Sequence, residues 1–498
     1  MNTIILPSLQ QATIMPCKMS IKETANQDIL KDISGKFAKR SFLLITSKLM
    51  RVCVQFFILF LYARRLSYEQ YGLYQSIWLY VNVLSVFGLF GLPSIILSAS
   101  NHTIIAWIKE NKKSFLITAI ILNIVPLIYF YFKTPEYSFM IWLLLLGVTI
   151  IQNISIIVEA IAIKREKETL VLVANMIFIT GYLLCHVIIL FNGYSLPLLL
   201  TSIIFIFLLK SIVIILSDKK LLVTENHFTV TDIGKQWFYL GLYDTVSVVG
   251  KWLDKWIILL LLSFSQFGIY FNGAYEIPVF GLMITAIGNI MVIELSKKND
   301  NRSATNRMLF INSSLLTASV VFPSFAFLLF YHHDFFTLIF TDKYAASIPI
   351  FFITIFILPL RITNYGAALQ AYNRNDLIAK AAVIDLIASI ILMAILYPIL
   401  QMKGLALAFV IATYIQTGYY LWQTSKLLQE KITDFFPVKK LLALMALSVM
   451  VLGITCWVCA SLLYPINMIG GIVICVLLIT TLLYIHLKKS NFVFSTKA

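Results

Sequence analysis

Charge is what this sequence is shortest of. Of its 498 residues only 12% are Asp, Glu, Lys or Arg, about half the roughly 25% share of a soluble domain. With 60% apolar residues, a water-soluble core could not hide the surface. Acidic residues are scarcer than basic ones, 23 against 39. The six cysteines suggest no oxidised framework: Cys53, Cys185, Cys456, Cys459 and Cys475 fall inside apolar segments, and Cys17 lies near the start. Cys456-Trp-Val-Cys459 spells C-x-x-C, but within a hydrophobic run and without a βαβ pattern, so packing is the expected role. No nucleophile–base pairing, Walker motif, HExxH or dinucleotide fingerprint is present. ATP bound by this chain is thereby excluded as an energy source, catalysis has no visible seat, and no cofactor or metal is expected. His332-His-Asp334 has no further ligand cluster and reads as an ordinary interfacial loop. Residues Met1–Leu9 lack the charged n-region and the h-region of a cleavable signal. Met19 looks like a fresh start, which leaves a basic arm to Arg40.

What the chain has in abundance is long apolar stretches. A hydrocarbon core about 30 Å thick needs about 20 apolar residues per helix, and such stretches recur from Ser41 to Leu487 with short polar gaps. They are twice as long as a transmembrane strand requires and do not alternate, so the expected fold is all-α, with every backbone group satisfied inside helices. Spans are expected at 41–63, 71–98, 114–133, 137–163, 169–191, 195–217, 236–262, 267–295, 308–331, 345–372, 376–400, 404–427, 440–464 and 466–487, about fourteen in all. The cations then sort by side. With the N-terminus inside, about 28 Lys and Arg fall in the arm, the alternate gaps and the tail, against about 5 in the outer gaps. The outer ones are Arg64, Arg65, Lys133, Lys343 and Lys403. Both termini are therefore expected in the cytosol, and most of the net charge of +16 is a topology signal touching membrane lipids, with no need for nucleic acid.

One segment repeats. Ser67-Tyr-Glu-Gln-Tyr-Gly-Leu-Tyr74 follows the first span, and Ser263-Phe-Ser-Gln-Phe-Gly-Ile-Tyr270 follows the seventh, offset by 196 residues. Six spans between them preserve direction, as in transporters built from parallel repeats. Ionisable residues inside spans cost about 2.5–3.5 kcal/mol on insertion scales and usually face the protein interior. Lys48, Arg51 and Gln55 share one face of the first span at i, i+3, i+7 spacing. The repeat offset places Asp244, Ser247 and Lys251 at the matching positions of the seventh. Asp254, Lys255, Glu159, Glu276, Arg361 and Asp385 complete the intramembrane set. Lys251 and Asp254 can simply pair, and Lys48 and Glu159 can snorkel to a nearby membrane surface. Arg361 has no carboxylate within one turn, which makes a ligand phosphate a candidate partner; Asp385 can pair with it across helices or carry a proton or sodium ion. Gly88, Gly91 and Pro93 in the second span, and Pro278 and Gly281 in the eighth, are helix breakers expected at comparable places in the two halves.

These residues carry a resemblance. Leu61-Tyr-Ala-Arg-Arg-Leu-Ser-Tyr-Glu-Gln-Tyr-Gly-Leu-Tyr74 followed by Phe87-Gly-Leu-Phe-Gly-Leu92 resembles the first-hairpin pattern of the polysaccharide biosynthesis (O-antigen flippase) family, within the multidrug/oligosaccharidyl-lipid/polysaccharide exporter superfamily. Lys251-Trp-Leu-Asp-Lys255 with Phe267-Gly-Ile-Tyr270 resembles its seventh-span pattern. Leu338-Ile-Phe-Thr-Asp-Lys-Tyr344 is similar to its loop before span 10, with Thr341 where that pattern usually has glycine. The resemblance implies two six-helix lobes, 41–217 and 236–427, joined by a cytosolic linker at 218–235, preceded by the arm at 1–40 and followed by two further spans within 428–498. It also implies a substrate, an oligosaccharide on a polyprenyl diphosphate, flipped across the cytoplasmic (inner) membrane, with other polysaccharide-assembly proteins as possible partners. The diphosphate is expected against Arg51, Lys251, Lys255 and Arg361, with Lys48 at the entrance and Gln55 beside them. Asp244 or Asp385 would couple transport to Na+ or H+. The competing expectation is a cation-coupled exporter of drugs or organic cations on the same fold, which calls for an acidic, aromatic cavity. A membrane-embedded saccharide polymerase or glycosyltransferase would need a long outer loop, and the longest outer gap, about 331–345, is short for that.

Overall fold

The computed structural model describes residues 49–98, 110–133, 137–165, 167–217, 233–296, 302–372, 374–461 and 465–489. Lys48, the arm at 1–40 and most of the linker at 218–235 lie outside them. The described residues form helices and no strand. In chain order these are α1 (49–65), α2 (Tyr68–Leu89), α3 (Leu92–Ser98), α4 (Lys112–Lys133), α5 (Phe139–Lys164), α6 (Glu168–Phe191), α7 (Leu196–Ser217), α8 (Ile233–Leu261), α9 (Phe264–Gly273), α10 (Pro278–Ser296) and α11 (Arg302–Phe340). After α11 come α12 (Ile348–Thr354), α13 (Ala367–Ala371), α14 (Asn375–Leu400), α15 (Met402–Leu428), α16 (Ile432–Phe435), α17 (Val438–Cys459) and α18 (Ile466–Lys489).

Ten stretches of helix are long and apolar enough to cross a membrane, or eleven if the bent pair α9 and α10 is one span. The expected spans at 114–133 and 236–262 fall on α4 and α8, which do not meet that test, and the one at 41–63 is described only from residue 49, as α1. Ten or eleven is therefore the number among the described residues, by length and composition. Their outward faces are apolar: Phe132, Ile399 and Trp457 are more than 70% exposed, a surface that only a bilayer solvates.

The repeated segment acts twice in the same way. Ser67 accepts the backbone N–H of Gln70, and the Gln70 side chain accepts that of Ser67, a capping box that starts α2. Ser263 and Gln266 do the same for α9. The two capped helices then cross one another at the glycines of the repeat. A Cβ on Gly72 would lie 1.8 Å from the Phe264 carbonyl oxygen, and one on Gly268 would lie 3.3 Å from the Gly72 nitrogen. The crossing is closed by Tyr71, whose hydroxyl donates to Asn272 Oδ1 at 2.5 Å. Around it each half caps the other's helix end. Arg64 donates to the Leu338 carbonyl at 2.6 Å, Lys343 donates to the Leu66 carbonyl, and the Tyr68 hydroxyl donates to the Lys343 carbonyl. Cations at helix C-termini are favoured by the helix dipole, so Arg64 and Lys343, two of the five cations expected in the outer gaps, sit where they latch the halves together.

Three expectations about continuity are corrected. The eighth span is broken between α9 and α10, a 53° bend, because Pro278 lacks an N–H and opens a new helix. The tenth is not one helix: 3-10 turns at Asp342–Ser347 and Ile355–Leu360 flank α12, and α13 begins only at Ala367. The gap at 331–345 is mostly helix, since α11 runs to Phe340 with a kink at Tyr331. His332, His333 and Asp334 therefore ride on a helix, not a loop. The breakers are also not equivalent in the two halves. Phe90 and Gly91 break the first hairpin with positive φ values of 39° and 73°, at the far end of α2, whereas Ala274–Ile277 interrupt the second half nearer the repeat motif. Gly281 lies inside α10.

Thr341 has φ 65° and ψ 165°, a region that is essentially glycine-only and costs roughly 1–3 kcal/mol for other residues. It is also the position where the resembled pattern carries glycine. Thr341→Gly is expected to raise stability by about 1 kcal/mol or more, seen as a higher melting temperature in detergent; an unchanged or lower one would exclude strain at this turn.

Candidate substrate cavity

α1, α2, α5, α6 and α7 enclose a cavity of about 280 Å³, to which α8 and α9 add Trp252 and Phe271 and the break after α9 adds Tyr275. Its charge comes from three helices. Arg51 projects from α1 with Gln55 one turn on, Glu159 comes from a polar face of α5 that also presents Gln152 and Ser155, and Lys210 comes from α7. Trp78, Phe178, Tyr182 and Phe207 supply an aromatic wall. Tyr74 is held by His186, which is fully buried, is anchored to its own helix and packs against the Tyr182 ring with 4.1 Å between centroids. Its Nε2 lies 3.2 Å from the Tyr74 hydroxyl, and its Nδ1 lies 2.8 Å from the Tyr182 carbonyl oxygen.

The three charges are wired together. Lys210 Nζ donates to Glu159 Oε2 at 2.5 Å, and Asn175 Nδ2 donates to Glu159 Oε1 at 3.3 Å. Arg51 donates to Asn175 Oδ1 at 2.8 Å. Arg51 and Lys210 both lie over the Phe178 ring, each 5.5 Å from its centroid. The Lys210 side chain is only 2% exposed, and the penalty for burying an ammonium is several kcal/mol unless it is paired and hydrogen-bonded. Two cations against one carboxylate leave this wall with an excess of positive charge.

A second cluster lies in the other half, at the two broken helices. Arg361, in the turn after the 3-10 segment, donates to Glu276 Oε2 at 2.8 Å. Lys251 and Lys255 of α8 are within electrostatic reach of the same carboxylate. Lys255 is 3.2 Å from Asp254 Oδ2, which also accepts the Tyr270 hydroxyl at 2.8 Å. Asp385 of α14 lies within electrostatic reach of Arg361; its Oδ1 is buried with no hydrogen-bond partner among the described residues. Tyr275 separates the clusters. It lines the large cavity and also a slot of about 20 Å³ beside Glu276 and Arg361.

The expected residues thus divide. Arg51 and Gln55 face the cavity. Lys251, Lys255 and Arg361 do not line it; Arg361 lines the slot that shares Tyr275 with it, and Lys255 lies over the ring of Trp252, 5.6 Å from its centroid. Arg361 does have a carboxylate partner, Glu276, brought in by a broken helix that the spacing along its own span could not reveal. Asp254 pairs with Lys255 rather than with Lys251. Asp244 is half-buried on α8. Glu159 is no snorkelling residue; it is the hub of the network. Sequence reasoning missed Lys210 and Asn175, although a lone lysine in the apolar run at 195–217 was a signal as strong as any of the cations it did select. Among the described residues no group of His, Cys, Asp and Glu could hold a metal ion.

A charged cavity held mainly by the first of two halves that share a repeated motif, and edged by the broken helix of the second, fits the architecture of membrane transporters rather than that of enzymes. The lipid II flippase MurJ, in an inward closed conformation, superposes with a TM-score of 0.64 over 91% of this chain and 99% of its own, at 16% identity. A multidrug resistance MATE family transporter of the MOP superfamily matches in its outward-facing conformation, with a TM-score of 0.53 over 78% of this chain and 96% of its own at 13% identity. A MATE structure in the bent conformation matches at 0.52, over 83% and 96%, also at 13%. At these identities the likeness is one of fold. No curated protein sequence matches the chain. The family model described as polysaccharide biosynthesis protein matches residues 61–349, and the chain belongs to that family.

Proposed function

We propose that this protein flips a polyprenyl-diphosphate-linked oligosaccharide across the cytoplasmic membrane for surface-polysaccharide assembly, by alternating access between its two halves. The observation that carries this reading is the Arg51–Asn175–Glu159–Lys210 wall: an excess of cation, inside the membrane, facing a cavity walled by aromatic rings. A sugar hydroxyl stripped of water without replacement costs roughly 4–8 kcal/mol in the harshest reference solvent, and a repeat unit carries many. A polar cavity replaces that hydration while the polyprenyl tail remains among lipids. Arg51 presents a planar fork suited to phosphate oxygens. The family, and the lipid-linked glycan carried by the flippase of like fold, point the same way.

The cation count along the sequence supports an orientation. Both termini are in the cytosol, the Arg64–Lys343 latch is at the outer face, and Phe90, edge-on to Trp237 and tilted against Phe238, is at the inner end. An inside-negative potential favours outward movement of each negative charge by about 2.3 kcal/mol per 100 mV. Sodium or proton coupling through Asp385 would add to that drive, its buried Oδ1 being the open acceptor. The organic-cation exporter is the poorer reading, since Glu159, the carboxylate that lines the cavity, is already committed to Lys210 and Asn175.

Arg51→Ala is expected to cut translocation of a prenyl-diphosphate saccharide in reconstituted vesicles by about tenfold or more, the loss of one charge-assisted phosphate contact, with normal insertion. Wild-type rates in that variant, or transport of organic cations instead, would overturn the proposal.

A further inference from the structure

Glu159 is out of character for a chamber meant to hold phosphate. It lines the cavity and carries the charge its substrate carries. Yet its two carboxylate oxygens do what two phosphate oxygens would do there. One takes the Lys210 ammonium at 2.5 Å, and the other is tied through Asn175 to Arg51. The partners differ in freedom. Lys210 is 2% exposed and Glu159 23%, so the lysine is fixed in the wall and the carboxylate is on the open side.

Resting on the reading of this cavity as a diphosphate-lipid site, we infer that Glu159 is a tethered counter-anion that satisfies Lys210 and Arg51 in the empty carrier and competes with the substrate's phosphate for them. When a diphosphate enters, its oxygens take the two cations and the Glu159 carboxylate turns away into the wet cavity. When the substrate leaves, Glu159 returns, and no buried ammonium is left unpaired. The physical need is release. Two cations in a low-dielectric wall attract a diphosphate strongly, and a transport site must bind weakly enough to let go. A competing anion on the same protein weakens binding without removing the cations that select it. Glu159 on this account sets how fast substrate is released.

The test uses the full chain in detergent, with a short-chain prenyl diphosphate as probe and the matching prenyl alcohol as control. Glu159→Gln is expected to bind the diphosphate at least about tenfold tighter, to leave alcohol binding unchanged, and to flip more slowly in vesicles. A carboxylate that only held helices together would give equal or weaker binding on removal. Because Glu159→Gln strands Lys210, Glu159→Asp serves as the second variant: it keeps the charge but draws it back from the ammonium, and an intermediate tightening is expected. The diphosphate should also raise the melting temperature of either variant more than that of wild type. Equal or weaker diphosphate binding in both variants overturns the inference, as does Glu159→Asp at wild-type affinity when Glu159→Gln does not fold. Failure of wild type to bind the diphosphate over the alcohol is a different result and removes the proposed function itself.

Discussion

Alanine at Gly72 is expected to separate the two halves of the molecule at their latched end. The added Cβ would lie 1.8 Å from the Phe264 carbonyl oxygen, and that atom is backbone, with no rotamer to move away. Overpacking a close contact typically costs about 1–3 kcal/mol, and here the strain falls on a helix crossing rather than on a side chain. The capping boxes on Ser67 and Ser263 would survive, since they are local to each helix. What would go is the Tyr71–Asn272 hydrogen bond and the reciprocal Arg64 and Lys343 caps. Cross-linking of Tyr68→Cys to Lys343→Cys by a bis-thiol reagent that spans a tyrosine's length reads this out, falling sharply in the Gly72→Ala background along with the melting temperature. Gly281→Ala is the control, because a Cβ there meets nothing within 4 Å. Undiminished cross-linking in Gly72→Ala would mean the crossing is not what holds this end shut.

Lys210→Met should be as damaging for a different reason. It leaves Glu159 facing an apolar side chain. Because that carboxylate is 23% exposed and keeps its Asn175 hydrogen bond, the cost falls at or below the low end of the about 3–5 kcal/mol for breaking a buried ion pair from one side. The double variant Lys210→Met with Glu159→Gln removes both charges and is expected to recover most of the lost stability, since buried pairs replaced together are often neutral. Denaturation of all four forms in detergent gives the coupling energy. A double variant no more stable than Lys210→Met alone would show that the two residues do not act as a pair. Neither Lys210→Met form should flip substrate, because the recovered fold lacks one of its two wall cations.

Some of this was readable in the sequence. The helices were, because an apolar run long enough to span a bilayer admits few other structures. The repeat was readable too: Ser-x-x-Gln before Tyr-Gly or Phe-Gly is a capping box wherever it starts a helix, and it recurs at a fixed offset. Arg51 and Gln55 could be found because a polar stripe inside an apolar helix is visible from one helix alone. The partner of Arg361 could not be found that way. Glu276 lies 85 residues away, on a segment whose helix is interrupted, and no periodicity links the two. The same holds for Lys210, Asn175 and Glu159, which sit on three different helices and acquire a common role only when α5, α6 and α7 pack.

The sequence by itself determined the solvent of this protein, the helical character of its spans, the duplicated motif and the family. Each of these depends on composition or on contacts a few residues apart, and such terms are fixed before any helix meets another. The tertiary structure alone decided which cations are spent on carboxylates and which confront the cavity, and why glycine stands at Gly72 and Gly268. Those outcomes depend on where distant helices cross, and in a bilayer, where lipid is as apolar as the helix faces, close packing and the pairing of buried charge select that crossing.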